Sequence, residues 1–207
     1  MSKKYMGIYS KDQMSIVIAM TLGDSCITKF RKKRANSFLS TQHSFKQKEY
    51  MKFKMNLLKD LRFKISKIYD VSVLFKSIRF DCRDSILFNQ LRACLYPKNN
   101  KTIKRRWLNY LNKQGLAIWY MDDGSLTKRG KSGYISLHTN SFNKKEHDII
   151  IRYFKQVWSI NPTLRITKRK NRDQSFFLVF NPDETRKFLK IVKPYVCDSM
   201  LYKVDFI

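Results

Sequence analysis

The sequence predicts an α+β protein built as an internal duplication, with one twisted antiparallel sheet in each half. Two observations lead there. Two apolar runs, Val17–Ser25 and Leu116–Gly124, each end abruptly in an acid followed by a tiny residue. Their acids, Asp24 and Asp123, stand close to half a chain apart. Around each run the same order recurs: helix, strand pair, helix, strand pair, helix. The halves share little identity, so the repeat is one of structure.

Residues 1–9 form a polar lead. Ser10-Lys11-Asp12-Gln13 has the form of a helix capping box, and the helix it opens should run to about Gly23. Ala19 and Gly23, four apart on one face, leave room for another backbone. Cys26 to Arg34 is a basic strand, Ala35-Asn36-Ser37 a turn, and Phe38 to Phe45 the returning strand. Lys46 to Ile68 reads as a helix with Tyr50, Phe53, Leu57, Leu58, Leu61 and Ile65 on one stripe. Val71 to Phe75 and Ile78 to Cys82 form the next strand pair, and Asp84 to Tyr96 a helix. Pro97-Lys98-Asn99-Asn100 breaks the pattern, and Lys104 to Leu111 is a short basic helix or linker.

In the second half Asn112 caps the helix that ends at Asp122 or Asp123. Leu126 to Lys128 and Tyr134 to Thr139 make a hairpin with a basic tip. Asn143-Lys144-Lys145-Glu146 is another capping box, opening a helix to Trp158. Thr163 to Arg169 and Phe176 to Phe180 pair as strands. Asn181-Pro182-Asp183-Glu184 starts a helix that reaches about Val192. The divisions are therefore a lead at 1–9, a first half at 10–103, a linker at 104–111 and a second half at 112–207. One face of each sheet carries helices, and the other is left for a ligand.

Among the 207 residues are 43 lysines and arginines against 16 acids, a net charge of +27. Hydrophobic content is 43%, enough for a buried core, so the charge belongs to a folded surface. Such a surface calls for a polyanion, nucleic acid before an anionic membrane. Cys26, Cys82, Cys94 and Cys197 form no C-x-x-C pair, which argues against zinc, and they read as reduced thiols. No phosphate-binding glycine loop, nucleophile elbow or H-E-x-x-H string is present, so nucleotide hydrolysis and serine chemistry lack a starting motif.

The paired acids remain. A carboxylate at a helix C-terminus faces the negative end of the helix dipole, an unfavourable placement by itself. It becomes reasonable where a divalent cation sits. Carboxylate oxygens and spare helix carbonyls are hard ligands that suit Mg²⁺, and phosphate oxygens complete its shell. Such an ion activates water and offsets charge on a leaving oxygen.

The strings Thr21-Leu22-Gly23-Asp24, Leu116 to Gly124, Lys101-Thr102-Ile103, and Lys193-Pro194-Tyr195 with Met200-Leu201-Tyr202-Lys203 occur in an order that resembles the LAGLIDADG homing endonucleases. The likeness is to their monomeric form with two motifs per chain, and it covers nearly the whole sequence. It implies that the eighth motif position supplies the metal-binding acids, Asp24 and Asp123, with Mg²⁺ as the ion and Mn²⁺ able to substitute. Asp122 falls on the seventh position, where the family has a small packing residue. Ile118 and Asp122 replace the small pair Ala19 and Gly23, so a looser or displaced helix contact is expected there.

The resemblance also implies a basic residue near each scissile phosphate, Lys101 and Lys203. It implies a polar residue that orients the attacking water, Gln42 in one half and His138 in the other. Helix ends at the minor groove and basic hairpins in the major groove are the expected mode of binding double-stranded DNA, with two sheets forming a saddle. Lys29, Arg31, Lys33, Lys128, Arg129, Arg165, Lys168 and Arg169 are the candidate DNA contacts. The implied activity is metal-dependent scission of both strands of a long asymmetric site, by a monomer acting as a pseudo-dimer, in support of intron or intein mobility. An RNA-binding maturase acting on its host intron, and a non-catalytic DNA-binding regulator, are the alternatives. Retention of both acids and both lysines favours the nuclease. No membrane partner is expected. The richness in Lys, Asn, Ile, Phe and Tyr suggests an AT-rich genome. That points to an organelle (mitochondrion or chloroplast), or else to a phage or bacterial host cytoplasm.

Overall fold

A computed structural model of the chain describes residues 9–29, 36–60, 63–72, 76–83, 85–130, 132–167 and 174–206. Two long apolar helices form its centre. The first, α1 (Lys11–Leu22), opens with the expected capping box between Ser10 and Gln13, and every residue from Met14 to Leu22 is buried. Its counterpart α5 (Lys113–Asp123) is capped by Asn112, and Gly115 to Met121 are buried. A helix buried on all sides belongs between other layers, and these two lie against each other.

The remaining elements wrap this pair. In the first half they are β1 (Ser25–Lys29), β2 (Ser37–Ser44), α2 (Lys48–Asp60), β3 (Lys64–Ile65), β4 (Tyr69–Ser72), β5 (Ser77–Arg83) and α3 (Ser85–Leu95). The short α4 (Arg105–Leu108) joins the halves and sinks Trp107 and Leu108 into the core. Then follow β6 (Gly124–Arg129), β7 (Ser132–Leu137), α6 (Lys144–Trp158), β8 (Thr163–Thr167), β9 (Ser175–Phe180) and α7 (Pro182–Val192), and a 3₁₀ turn at Asp198–Lys203.

Both sheets are antiparallel. The first runs β1-β2-β5, with β3 and β4 paired to successive parts of β5, and the second runs β6-β7-β9-β8. Equivalent registers follow each acid: Ser25 lies opposite Thr41, and Gly124 opposite Leu137. Gln42 and His138 are therefore structural counterparts, and so are His43 and Thr139.

One expected element is shorter than its periodicity suggests. The helix expected over Lys46 to Ile68 is α2, Lys48–Asp60. Ile65 continues the apolar spacing but lies in β3, bonded to Cys82 of β5. Periodicity cannot see the open strand edge that captures it. The helix contact expected to be loose is instead tight. A Cβ on Gly23 would collide with the Asp122 carboxylate, and one on Gly115 with the Ser15 hydroxyl. Ser15 and Asn112 exchange hydrogen bonds of 2.8 and 2.9 Å, which fixes the register of the two helices at their start.

This contact predicts an inverted sign for one substitution. Gly→Ala inside a helix ordinarily stabilises by about 0.5–1 kcal/mol. Gly115→Ala should destabilise by about 1–3 kcal/mol, because the new methyl overpacks the α1 face. The denaturant midpoint, at unchanged slope, measures it.

Candidate functional site

The two helices deliver their acids to one region, and two lysines close the helix ends. Lys101 Nζ donates to the carbonyls of Leu22 (2.8 Å) and Gly23 (3.3 Å), at the end of α1. Lys203 Nζ donates to the Met121 carbonyl (2.5 Å), at the end of α5. Each ammonium thus sits on the negative end of a helix dipole, where a cation is favoured. The carbonyls read from sequence as spare ligands are, at Leu22, Gly23 and Met121, already engaged by these lysines. Burial lowers the pKa of both lysines, opposed by the nearby aspartates.

Asp24 and Asp123 are different. Among the described residues, neither carboxylate has a lysine or arginine nitrogen within 4.0 Å. Asp123 Oδ2 accepts the Trp119 indole N–H at 3.2 Å. Burial, then the charge of Asp122, pushes Asp24 up to about 6 and Asp123 up to about 7. Two carboxylates whose ionisation is held back by burial and by the neighbouring Asp122, in reach of two ammonium groups that do not pair with them, form a site short of positive charge. Such hard oxygen donors fit a divalent cation.

Asp122 is placed in a way the sequence did not reveal. Its side chain is wholly inaccessible and forms an ion pair of 2.5 Å with Lys54, itself wholly inaccessible. The Tyr50 hydroxyl donates to the same oxygen at 2.7 Å, and the other oxygen accepts the backbone N–H of Asp24 at 3.2 Å. Lys54 also reaches His43 Nε2 at 3.0 Å. Burial first, and then the Lys54 charge, lowers the pKa of His43 to about 4, which keeps the ring neutral. The signal for Lys54 was present as a charge at i+4 from Tyr50 and i−4 from Leu58, within the buried stripe of α2.

Gln42 and His138 both lie on the sheet faces turned away from the helices, each beside its half's acid. Gln42 Nε2 donates to Ser77 Oγ at 3.3 Å. His138 Nε2 shares a 3.0 Å hydrogen bond with Ser125 Oγ, and its ring stacks on Phe177. Strand alternation sorts the basic candidates. Arg165 lies opposite Phe177 on that open face, and Arg129 lies over Tyr134 on the same face. Lys128 alternates to the other side, where it pairs with Asp205 at 2.7 Å. Lys29 has the parity of buried Ile27 and reaches solvent only because it ends β1. Arg31, Lys33, Lys168 and Arg169 lie outside the described residues. Arg79 was not among the candidates. It occupies the open face of the first sheet between the rings of Phe38 and Tyr69, oriented by Asp81 at 2.9 Å.

Comparison with known proteins agrees with this geometry. The sequence profile of the LAGLIDADG DNA endonuclease family matches residues 14–188. An uncharacterized protein of Methanocaldococcus jannaschii is 30% identical over 94% of this chain and 74% of its own length. A protein of Wickerhamomyces canadensis named as a probable intron-encoded endonuclease is 26% identical over 99% of this chain and 88% of its own. The homing endonuclease I-WcaI, solved bound to its DNA recognition sequence, superposes with a TM-score of 0.75 at 24% identity, covering 99% of this chain and 92% of that one.

The raised acids give a pH signature in the metal-free protein. A carboxyl whose pKa rises on folding stabilises the native state below its unfolded value near 3.8, and that contribution is lost as pH climbs through 6 to 7. Asp24→Asn and Asp123→Asn should therefore match wild type in melting temperature at pH 4 and exceed it at pH 8. Each kcal/mol relieved should raise the midpoint by about 2–4 °C. Thermal melts in EDTA across this range measure the difference.

Proposed function

The chain belongs to the LAGLIDADG DNA endonuclease family, and from that premise we propose that it is a site-specific homing endonuclease. In this reading it hydrolyses both strands of a long asymmetric DNA target and promotes the mobility of the intron or intein that encodes it. One observation carries the proposal. Asp24 and Asp123 stand at the ends of two helices packed side by side, without a lysine or arginine partner among the described residues, while a lysine caps each helix end. A purely RNA-binding role in splicing, the alternative weighed from sequence, needs none of these groups.

Asp24 and Asp123 would hold a divalent cation, Mg²⁺ or Mn²⁺ in its place, which when bound neutralises phosphate charge and acidifies water. The rest belongs to this chain. Lys101 and Lys203 are fixed by the carbonyls they cap, so their charges need no reorganisation as negative charge grows on a phosphate. Gln42 and His138 order the attacking water beside each acid. His138 is suited to accept a hydrogen bond, because burial and then the Lys203 charge lower its pKa and keep the ring neutral. Arg79, Arg129 and Arg165, on the open sheet faces, contact the duplex. Lys29 contributes from the end of β1, and Arg31, Lys33, Lys168 and Arg169 from neighbouring sequence, while Lys128, turned to the other side and paired with Asp205, drops out of the set. The relative named as intron-encoded supports a mobile-intron setting.

Asp24→Asn or Asp123→Asn should abolish double-strand cleavage of a duplex carrying the uninterrupted insertion site, while binding changes little. EDTA should do the same to wild type. Either variant cutting both strands at the normal rate would remove that acid from the site. Binding should also weaken steeply with salt, by about 30–300-fold per doubling if about six to ten phosphates are contacted. A flat salt titration would contradict a phosphate-tracking surface.

A further inference from the structure

Behind Asp24, donor atoms of Asp24, His43 and Asp122 gather within 4.8 Å of one another, as they would around a metal ion. The cation of this cluster is already part of the chain. Lys54 Nζ lies 2.5 Å from Asp122 Oδ1 and 3.0 Å from His43 Nε2, with the Tyr50 ring 4.6 Å away. An ammonium group only donates, so His43 Nε2 accepts and the imidazole proton sits on Nδ1. That N–H donates to Gln47 Oε1 at 3.1 Å and lies 3.7 Å from Asp24 Oδ2. The ring thus presents its N–H edge to the acid, not a lone pair. Lys54 reaches Asp24 through Asp122, which accepts the Asp24 backbone N–H. It also orients the His43 ring, which lies against the Asp24 carboxylate at 3.7 Å, a packing contact longer than a hydrogen bond.

The second half is built otherwise. Thr139, the counterpart of His43, shares a 2.7 Å hydrogen bond with His147, which donates through Nδ1 to the Asn143 carbonyl at 2.9 Å. Asp123 is held by the Trp119 indole. The other buried lysine among the described residues, Lys203, bonds the Met121 carbonyl, whereas Lys54 bonds a carboxylate and a histidine ring behind Asp24.

We propose that Lys54 is a positioning residue for one of the two acids: acting through Asp122 and His43, it fixes Asp24, so that scission of one strand depends on it and scission of the other does not. This rests on the endonuclease reading. Groups that orient a metal-binding residue from behind are worth about 10–100-fold in activity. A general structural role would instead slow both strands alike.

The test uses the full chain and a duplex with the uninterrupted insertion site, labelled separately on each strand. Lys54→Met leaves Asp122 as a buried unpaired charge and is read only if the variant folds. Lys54→Met combined with Asp122→Asn removes both charges and keeps the volume. Removing the Asp122 charge touches both acids, so the readout is the difference between strands. In the double variant one strand should lose at least about 10-fold more rate than the other, with nicked duplex accumulating. Equal slowing of both strands, or of neither, overturns the proposal. A second readout needs no DNA. The chain has three histidines, so ¹⁵N-histidine spectra resolve each tautomer, with His43→Gln assigning the ring. Wild-type His43 should be protonated on Nδ1, and Lys54→Met combined with Asp122→Asn should release that preference. A wild-type ring protonated on Nε2 overturns the Lys54 contact. A wild-type protein that cuts neither strand overturns the endonuclease reading and the strand assignment with it, while the spectrum still decides the contact.

Discussion

Everything in this molecule is arranged around the close approach of α1 and α5. Gly23 and Gly115 remove side chains where each helix meets the other, and Ser15 and Asn112 lock the register. Because both helices are buried on all sides, each sheet and its outer helices must pack against them. The acids at their ends therefore inherit their positions from the core. A shift of one helix along the other would separate them and would also expose apolar surface on both.

That contact concentrates negative charge at the centre of a protein whose net charge is +27. Asp122 sits against Gly23 with no access to solvent, and its charge bears on both Asp24 and Asp123. Lys54 is what makes this tolerable. A buried ion pair gains little over an apolar pair of the same shape, yet losing one partner typically costs about 3–5 kcal/mol. The pair therefore specifies geometry more than it adds stability. Three ammonium groups surround three carboxylates here. One neutralises Asp122, two cap helices, and none pairs directly with Asp24 or Asp123.

The two halves share a frame and differ in detail. Equivalent registers carry Gln42 and His138 to equivalent places. Behind them, His43 and Lys54 occupy one half and Thr139 and His147 the other. The open sheet faces differ as well, with Arg79 clamped between rings in one, and Arg129 and Arg165 spaced along strands in the other. A duplicated scaffold with unlike surfaces suits an asymmetric double-helical ligand.

The sequence alone determined the duplication, the helix starts at Ser10, Asn112, Asn143 and Asn181, and the two terminal acids. Each is a local signal: a cap lies three residues from the amide it satisfies, and an apolar run reads directly as a buried helix. Lys101 and Lys203 were legible only through the family resemblance, since nothing local separates them from the other lysines. The tertiary structure decided the rest. Asp122 faces Gly23 from another helix, and Lys54 meets it from a third. No spacing within one segment encodes a contact made across 68 residues of chain. Strand parity likewise turned Lys128 away from the open face and put Arg79 on it, because a side chain's face depends on register, and register is set by the partner strand.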